Sequence, residues 1–369
     1  MPGVELDVLI VGAGPAGLST WLQLRERAAW LASRTVVVEK ATHPRDKLCG
    51  GGVTWPGAAL LAELGIPVRS PSVAVHEIEF RFGAERLVLR AREGIRVVRR
   101  REFDRELAEA AVERGLELHQ GEAVEDLVRD DGCVRVRTSR REYRARMVVG
   151  ADGAQSVVRA RLGLPGPPGL ARLIKAVGPA FVPEGDRMEH TAVFDFSSVA
   201  DGLQGYVWHF PCIDAGRPAT DHGIYDSRAA ASGGRADLPA IFGASLTRWG
   251  TGPMRASWAS HPVRPFSPTA VLSAPHALLV GDAAGIDPVL GEGISQALEY
   301  GEVAAETLVE AFESGDFSAS GYRDTLFGYR LGHSLLRRSE LAADLYGRPG
   351  DGLDAIHERM ARWISEGLP

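Results

Sequence analysis

The run Leu6–Lys40, LDVLIVGAGPAGLSTWLQLRERAAWLASRTVVVEK, leaves this chain few folds to choose from. Leu6–Val11 is apolar and rich in β-branched residues, the length of one buried parallel strand. It runs directly into Gly12-Ala-Gly14-Pro15-Ala16-Gly17 and then into a helical pattern with Leu18, Leu22 and Leu24. Thr35–Val38 is a second apolar strand, closed by Glu39. Strand, glycine turn, helix and strand make a βαβ unit in which each glycine has its own task. Gly12 makes the tight turn, Gly14 admits a pyrophosphate to the backbone, and Gly17 lets helix and strand touch. The free N–H groups at the helix start hold phosphate, and Glu39 stands where an acid meets a ribose hydroxyl. Alone, a GxGxxG is an ordinary glycine turn; strand, helix and closing acid together make it a dinucleotide site. The interval from Gly17 to Glu39 slightly exceeds the usual spacing of about twenty residues. The excess, around residues 25–33, reads as one extra turn of helix.

A chain of 369 residues has room for about two domains. Its net charge of −6 argues against nucleic acid as a partner, and the short arginine runs at 99–101 and 140–141 do not alter that. Cys49, Cys133 and Cys212 are odd in number, far apart and without a CxxC. Neither a disulfide framework nor a zinc site is expected, and a reducing cytoplasm fits. The first strand begins almost at once, which leaves no room for a signal peptide. No apolar run reaches the roughly eighteen residues of a membrane span. The expectation is a cytoplasmic protein without a transmembrane segment, with peripheral membrane contact left open.

Along the chain, a glycine-rich loop at 41–52 leads to a helix around Trp55–Leu64. Residues 73–98 alternate in the manner of a β-hairpin (Val73, Val75, Ile78, Phe80, Phe82, Leu87, Leu89). Helix resumes over Arg100–Arg114, then come a short strand at Leu116–His119 and a three-stranded meander turning at Asp130-Asp131-Gly132. A Pro/Gly linker at 165–170 precedes strands at 173–182, 191–196, 205–210, 221–225 and 254–264, with a helix near 238–249. Leu278–Gly281 resembles the opening strand and is followed by a long helix from Gly293 to about Glu313. Periodicity makes Tyr322–Tyr346 and Leu353–Trp363 helical. In that tail Leu331, Leu335, Leu336, Leu341 and Leu345 share a side, expected to pack on the nucleotide-binding part. The fold class is therefore α/β: a Rossmann-like domain with an inserted, mostly antiparallel β-sheet domain and a helical C-terminal tail. Segments 1–72, 98–165 and 267–320 form the first, 73–97 and 166–266 the second, and 321–369 the tail.

Two further runs carry chemistry. Val149-Gly-Ala-Asp152-Gly153-Ala-Gln-Ser156 ends a strand in a tight turn; taken singly, it is a capped helix start. Val280-Gly281-Asp282-Ala-Ala-Gly285 leads to Gly291-Glu292-Gly293-Ile294 at the start of the long helix. The order and separation of all three runs resemble the single-FAD-domain flavoproteins typified by para-hydroxybenzoate hydroxylase. The resemblance implies FAD, with Glu39 on the adenosine ribose, Asp152 near the flavin and the pyridine-nucleotide path, and Asp282 on the ribityl chain. It places backbone N–H groups of Gly291, Gly293 and Ile294 at the flavin N1/O2 edge, which suits the negative charge of a reduced flavin. Arg100 matches an arginine that meets the FAD phosphates; read alone, it belongs to a surface basic cluster.

Within that group Lys47-Leu-Cys49-Gly50-Gly51-Gly52, residues 285–301 and Tyr206-Val-Trp208-His-Phe210-Pro211 are similar to the geranylgeranyl reductase family. The likeness spans roughly residues 4–320 in pattern. It implies catalytic positions at Cys49, Gly50 and Gly51, and a substrate wall of Tyr206, Trp208, Phe210 and Pro211. It implies a cofactor set of Gly12, Gly14, Pro15, Ala16, Gly17, Glu39, Lys40, Lys47, Cys49, Gly50, Arg100, Ala123, Asp152, Gly281, Asp282, Gly291, Gly293 and Ile294. From the residues alone, Cys49 is equally an inert small side chain. The aromatics at 206, 208 and 210 share one face of a strand, which core packing also explains. His209 faces the other way and is assigned no role. The leading expectation is reduction of an isoprenoid-like C=C bond by reduced flavin. Hydroxylation of an aromatic comes second, halogenation third, and a pure electron carrier stands as the non-catalytic reading. With no second GxGxxG, the reductant is NAD(P)H docking transiently or a separate electron-donor protein.

Overall fold

The computed structural model describes residues 4–166, 169–180, 190–230, 235–252, 257–348 and 351–366. The expected strand residues 181–182 and 254–256, and linker residues 167–168, lie outside these. β1 (Val4–Val11), α1 (Pro15–Arg27) and β2 (Thr35–Glu39) form the opening unit. The surplus residues do not lengthen α1. Ala28 leaves helical geometry at φ −149°, ψ 75°, and a separate turn, α2 (Ala29–Ala32), follows. That break turns Leu31 and Ala32 inward, where the Ala32 carbonyl accepts the Trp21 Nε1–H at 3.2 Å. Burial of two apolar side chains outweighs one more turn of regular helix.

β3 (Gly52–Thr54) and α3 (Trp55–Glu63) precede the hairpin β4 (Ser72–Phe82) and β5 (Glu85–Val98). α4 (Arg100–Glu113) and β6 (Glu117–Gln120) lead to the meander β7 (Val124–Asp130), β8 (Cys133–Thr138) and β9 (Glu142–Gly150), then α5 (Val157–Arg161). β10 (Ala171–Pro179), β11 (Thr191–Asp195), β12 (Gly205–Asp214) and β13 (Arg217–Asp226) follow, then α6 (Leu238–Arg248) and β14 (Ala259–Val263). The chain returns through β15 (Ser273–Ala274) and β16 (Ala277–Leu279) to α7 (Ile294–Ser314). It continues into α8 (Tyr322–Gly328), α9 (Arg330–Tyr346) and α10 (Leu353–Ser365).

Two sheets result. The first runs β15-β16-β9-β1-β2-β6, parallel from β16 to β6, with β8 and then β7 added antiparallel beside β9. β1 is central and its Val8, Leu9 and Ile10 are fully buried, as a parallel strand covered on both faces requires. α1 and α7 meet closely over it: a Cβ on Gly301 would come within 2.6 Å of Ser19 Cβ, and Ser19 Oγ donates to the Leu298 carbonyl at 2.7 Å. The second sheet runs β14-β10-β13-β12-β11-β4-β5-β3, antiparallel except where β11 lies parallel to β4. One face gathers Phe80, Phe194, Tyr206, Trp208, Phe210 and Tyr225; the other packs Val207 and Ile224 on α6.

The tail differs from expectation in two ways. The pattern over 322–346 is broken at Tyr329, which is extended (φ −93°, ψ 156°). Gly332 lies directly on the Leu326 carbonyl, where a side chain would overlap it, so the corner between α8 and α9 is tight. The leucine stripe serves both cores: Leu331 and Leu335 join that of the first sheet, Leu341 and Leu345 that of the second.

Candidate functional site

β1 delivers the chain to Gly12 in a left-handed conformation (φ +107°), and a Cβ there would overlap the Ala151 carbonyl. Only glycine makes this turn without strain. Gly17 is closed in by Gly12, Ile10 and Ala151, the helix–strand contact the spacing predicts. α1 starts at Pro15 with Gly14 as an N-cap that offers no side chain, which leaves its first N–H groups available. Glu39, at the end of β2, is buried. Its Oε2 accepts from Ala13 N at 2.9 Å and its Oε1 from Ala41 N at 3.0 Å. The acid thus shapes the glycine loop as well as lining the cavity beside it.

Positive charge collects next to this loop. Arg100, at the start of α4, grips Asp104 with Nε and Nη2 at 2.7 and 2.8 Å. Burial disfavours its charge, but the Asp104 carboxylate more than restores it. Arg45 reaches the same Asp104 at 3.3 Å and lies 3.5 Å from where a Gly14 Cβ would be. Sequence reasoning missed Arg45, which sits in a loop without periodicity. Lys47 lies 3.6 Å from Asp282 and touches His261 Nε2. Burial lowers the Lys47 ammonium, while burial and then Lys47 push His261 down to about 4. His261, on β14, was also missed: a lone histidine in a strand carries no signal.

The second and third runs arrive beside the glycine loop at the ends of β9 and β16. Asp152 Oδ2 accepts from Val157 N and Val158 N at 2.6 and 3.1 Å, and Ser156 Oγ from Arg159 N at 2.9 Å. The capped turn is therefore real, yet Asp152 also lines the cavity. Burial raises its pKa, and its Oδ1 has no hydrogen-bond partner among the described residues. Asp282, Gly291, Gly293 and Ile294 line the same space, whereas Gly281 (φ +56°) does not. Gly281 instead packs on Ala16, 2.8 Å from where its Cβ would be.

The cavity, of about 500 Å³, continues from these groups to the second sheet. Lys40 and Ala123 line it, as do Cys49, Gly50 and Gly51. Gly51 is left-handed (φ +80°) against the Val98 carbonyl. Gly50 lies on the wall itself, a Cβ falling 3.1 Å from Phe210 and 3.4 Å from Trp208 Nε1. Tyr206, Trp208 and Phe210 face inward together with Phe194 and Tyr225. Pro211 does not line the cavity; one residue past Phe210, it falls on the opposite face of β12. The Trp208 indole lies across Gly223, where any side chain would overlap it, and its Nε1–H donates to Asp221 at 2.9 Å. Asp221 also accepts from Lys175, whose Nζ donates to the Cys49 carbonyl at 2.7 Å. The tryptophan and the cysteine loop are thus held by one ion pair that no sequence motif announces. On the opposite face His209 stacks on Trp249 with centroids 3.9 Å apart, outside the cavity.

These groups suit a flavin dinucleotide: a glycine cradle that a Cβ would fill, an uncapped helix start, clustered cations and an aromatic end. Among the described residues, no cluster of His, Cys, Asp and Glu could hold a metal ion, and no helix is long and apolar enough to cross a membrane. A family model described as FAD binding domain matches residues 5–197, just over half of the chain. Digeranylgeranylglycerophospholipid reductase 1 of Methanopyrus kandleri is 30% identical over 86% of this chain and 84% of its own. Menaquinone reductase of Mycobacterium tuberculosis is 32% identical over 93% of this chain and 81% of its own. A geranylgeranyl bacteriochlorophyll reductase-like protein from Thermoplasma acidophilum superposes with a TM-score of 0.72 at 21% identity, covering 99% of this chain and 98% of that one. CmlS, a flavin-dependent halogenase, gives 0.70 at 18% identity, covering 100% of this chain and 71% of that one. At those identities the two structures speak for the fold alone. With its three flavin runs gathered on one cavity and its matches to the FAD-binding domain and to both reductases, the chain belongs to the geranylgeranyl reductase family of single-FAD-domain flavoproteins.

Proposed function

We propose that the protein reduces a carbon–carbon double bond of an isoprenoid-like or related small molecule. The observation that carries this reading is the continuity of the cavity. One space is lined by the glycine loop and Glu39, by the Cys49 loop and by the Tyr206-Trp208-Phe210 wall. Gly12, Gly14, Pro15, Ala16 and the start of α1 would take the FAD pyrophosphate, with Arg45 and Arg100 neutralising it. Glu39 would take the ribose, Asp282 with Lys47 the ribityl chain, and the backbone of Gly291, Gly293 and Ile294 the flavin edge. Reduced FAD, when bound, would supply a hydride to one alkene carbon, and an acid the proton to the other. The chain's own part is to hold the alkene against rings that exclude water and to present the Cys49 loop beside it. Electrons reach the site from NAD(P)H or from a carrier protein. The relatives named for digeranylgeranylglycerophospholipid and for menaquinone support reduction. A second reading, oxygenation of an aromatic, draws on the row of rings, which would also stack on a planar ring.

The test is anaerobic reduction of the FAD-loaded protein, followed by mixing with prenyl alkenes, with menadione, or with O2. Flavin reoxidation by the alkene, with a product two hydrogens heavier, supports the proposal. An oxygenated product formed only with O2 moves the assignment to the second reading, and failure to take up FAD overturns both. Cys49→Ala should keep FAD and lose turnover; full activity in that variant removes the cysteine's chemical role.

A further inference from the structure

The segment before α7 holds two carboxylates, Asp287, which is fully buried, and Glu292, which lines the cavity. Both meet one cation from the far end of the chain. Arg338 of α9, only 4% exposed, pairs through Nη1 with Asp287 and through Nη2 with Glu292 Oε2 at 3.1 Å. The Trp363 ring covers its guanidinium with the centroid 5.5 Å away. Asp287 in turn fixes the segment, its Oδ1 accepting from Val289 N at 2.7 Å. The Thr54 hydroxyl donates to the other oxygen of Glu292. The third acid of the cluster, Glu299, has its own partner in Arg330, so Arg338 serves Asp287 and Glu292.

The electrostatic consequence follows from where α7 begins. It starts at Ile294 with no capping side chain and no acid in its first turn, so its N–H groups and dipole turn a positive potential toward the cavity. An ionised Glu292 two residues earlier opposes that potential unless a cation neutralises it, and in a partly buried setting the opposition is strong. We propose that Arg338 is a positioning residue that tunes the cofactor's redox balance. By neutralising Glu292 and fixing the 287–293 segment, it preserves the positive field of α7 where a reduced flavin carries negative charge. The inference rests on the reading of this cavity as an FAD site, and not on which substrate is reduced.

The experiment is an anaerobic potentiometric titration of FAD-loaded protein without substrate, comparing wild type with Arg338→Met, Arg338→Lys, Glu292→Gln and the Arg338→Met/Glu292→Gln double variant. Arg338→Met should disfavour the reduced form at least tenfold, a shift of about 30 mV to lower potential for a two-electron couple. Arg338→Lys should keep most of the wild-type value. The double variant should return only part of the way toward wild type, because the Glu292 charge is gone while Asp287, the other carboxylate that Arg338 answers, keeps its own. An Arg338→Met protein that holds FAD at an unchanged potential overturns the inference. If that variant does not fold, Glu292→Gln decides instead: a shift to higher potential supports the assignment and an unmoved potential overturns it. A wild-type protein that takes up no FAD removes the cofactor reading and this inference with it, an outcome distinct from an unmoved potential.

Discussion

Asp221→Ala should destabilise the folded chain by about 3–5 kcal/mol, the cost of leaving a buried ion without its partner. The Asp221 carboxylate, 2% exposed, accepts from Lys175 Nζ, from Trp208 Nε1 at 2.9 Å and from Arg99 Nη1 at 3.3 Å. These three donors lose unequally. Arg99 keeps Asp214 at 3.1 Å and reaches water. Trp208 forfeits a hydrogen bond to a charged group, about 1.5–3 kcal/mol. Lys175, 6% exposed, is left among the described residues with the Cys49 carbonyl for its charge, and this dominates. The assay is urea unfolding of the FAD-free protein near neutral pH, in a cycle with Lys175→Met and the double variant. Asp221→Ala/Lys175→Met should recover at least half of the loss, since the charge leaves with its partner. An Asp221→Ala protein within about 1 kcal/mol of wild type would refute the reasoning, since breaking a buried pair costs several times that. So would a double variant as unstable as the two single losses added.

Gly12→Ala should abolish FAD retention, because the methyl must enter the Ala151 carbonyl from a left-handed backbone; FAD co-purifying at wild-type occupancy would contradict this. Gly223→Ala should push the Trp208 indole off Asp221, read as a change in tryptophan emission and a rise in KM of about tenfold, the worth of 1.4 kcal/mol. Acid should destabilise the second sheet. Burial lowers His222 to about 4 and holds His209 well below its ordinary value as well, against about 6.5 when unfolded. The unfolded state therefore binds more protons across that window: the stability is complete above about pH 6.5 and is lost as pH falls toward 4. Glu299, raised by burial to about 7, acts in the opposite sense. The informative quantity is thus the difference from His209→Phe/His222→Leu, which should lose on the order of 4 kcal/mol less between pH 7.5 and 5, about 2 kcal/mol for each histidine removed. Parallel pH profiles would count against buried neutral histidines.

What the sequence made legible is what depends on neighbours in the chain. The Gly12–Gly17 turn, the strand before it and the inward row of Tyr206, Trp208 and Phe210 follow from spacing and period alone. The three flavin runs were readable as a set through their order and separation, which resemble the single-FAD-domain flavoproteins, and in the structure they end β1, β9 and β16 of one sheet. Pro211 was assigned with the wall by motif, although strand alternation turns it away. Arg45, His261 and the Lys175–Asp221 pair were not legible. Lys175 lies 126 residues from the Cys49 carbonyl and 46 from Asp221, and nothing in a strand's alternation says which distant lysine will meet which acid. The breaks at Ala28 and Tyr329 were hidden for a related reason: both interrupt helical patterns that read as continuous, and tertiary burial chose the corner.

The double allegiance of α9 also bears on how the molecule is made. Its first half completes the core of one sheet and its second half that of the other, with Arg338 between them. Ribosomes release a chain from its N-terminus, and domains tend to close in the order they emerge. Here the first core lacks members until residue 335 is out and the second until residue 363, however early the glycine loop has formed. Assembly of the cavity should accordingly wait until α9 and α10 have emerged, and nascent chains that expose both unfinished cores should be natural clients for chaperones.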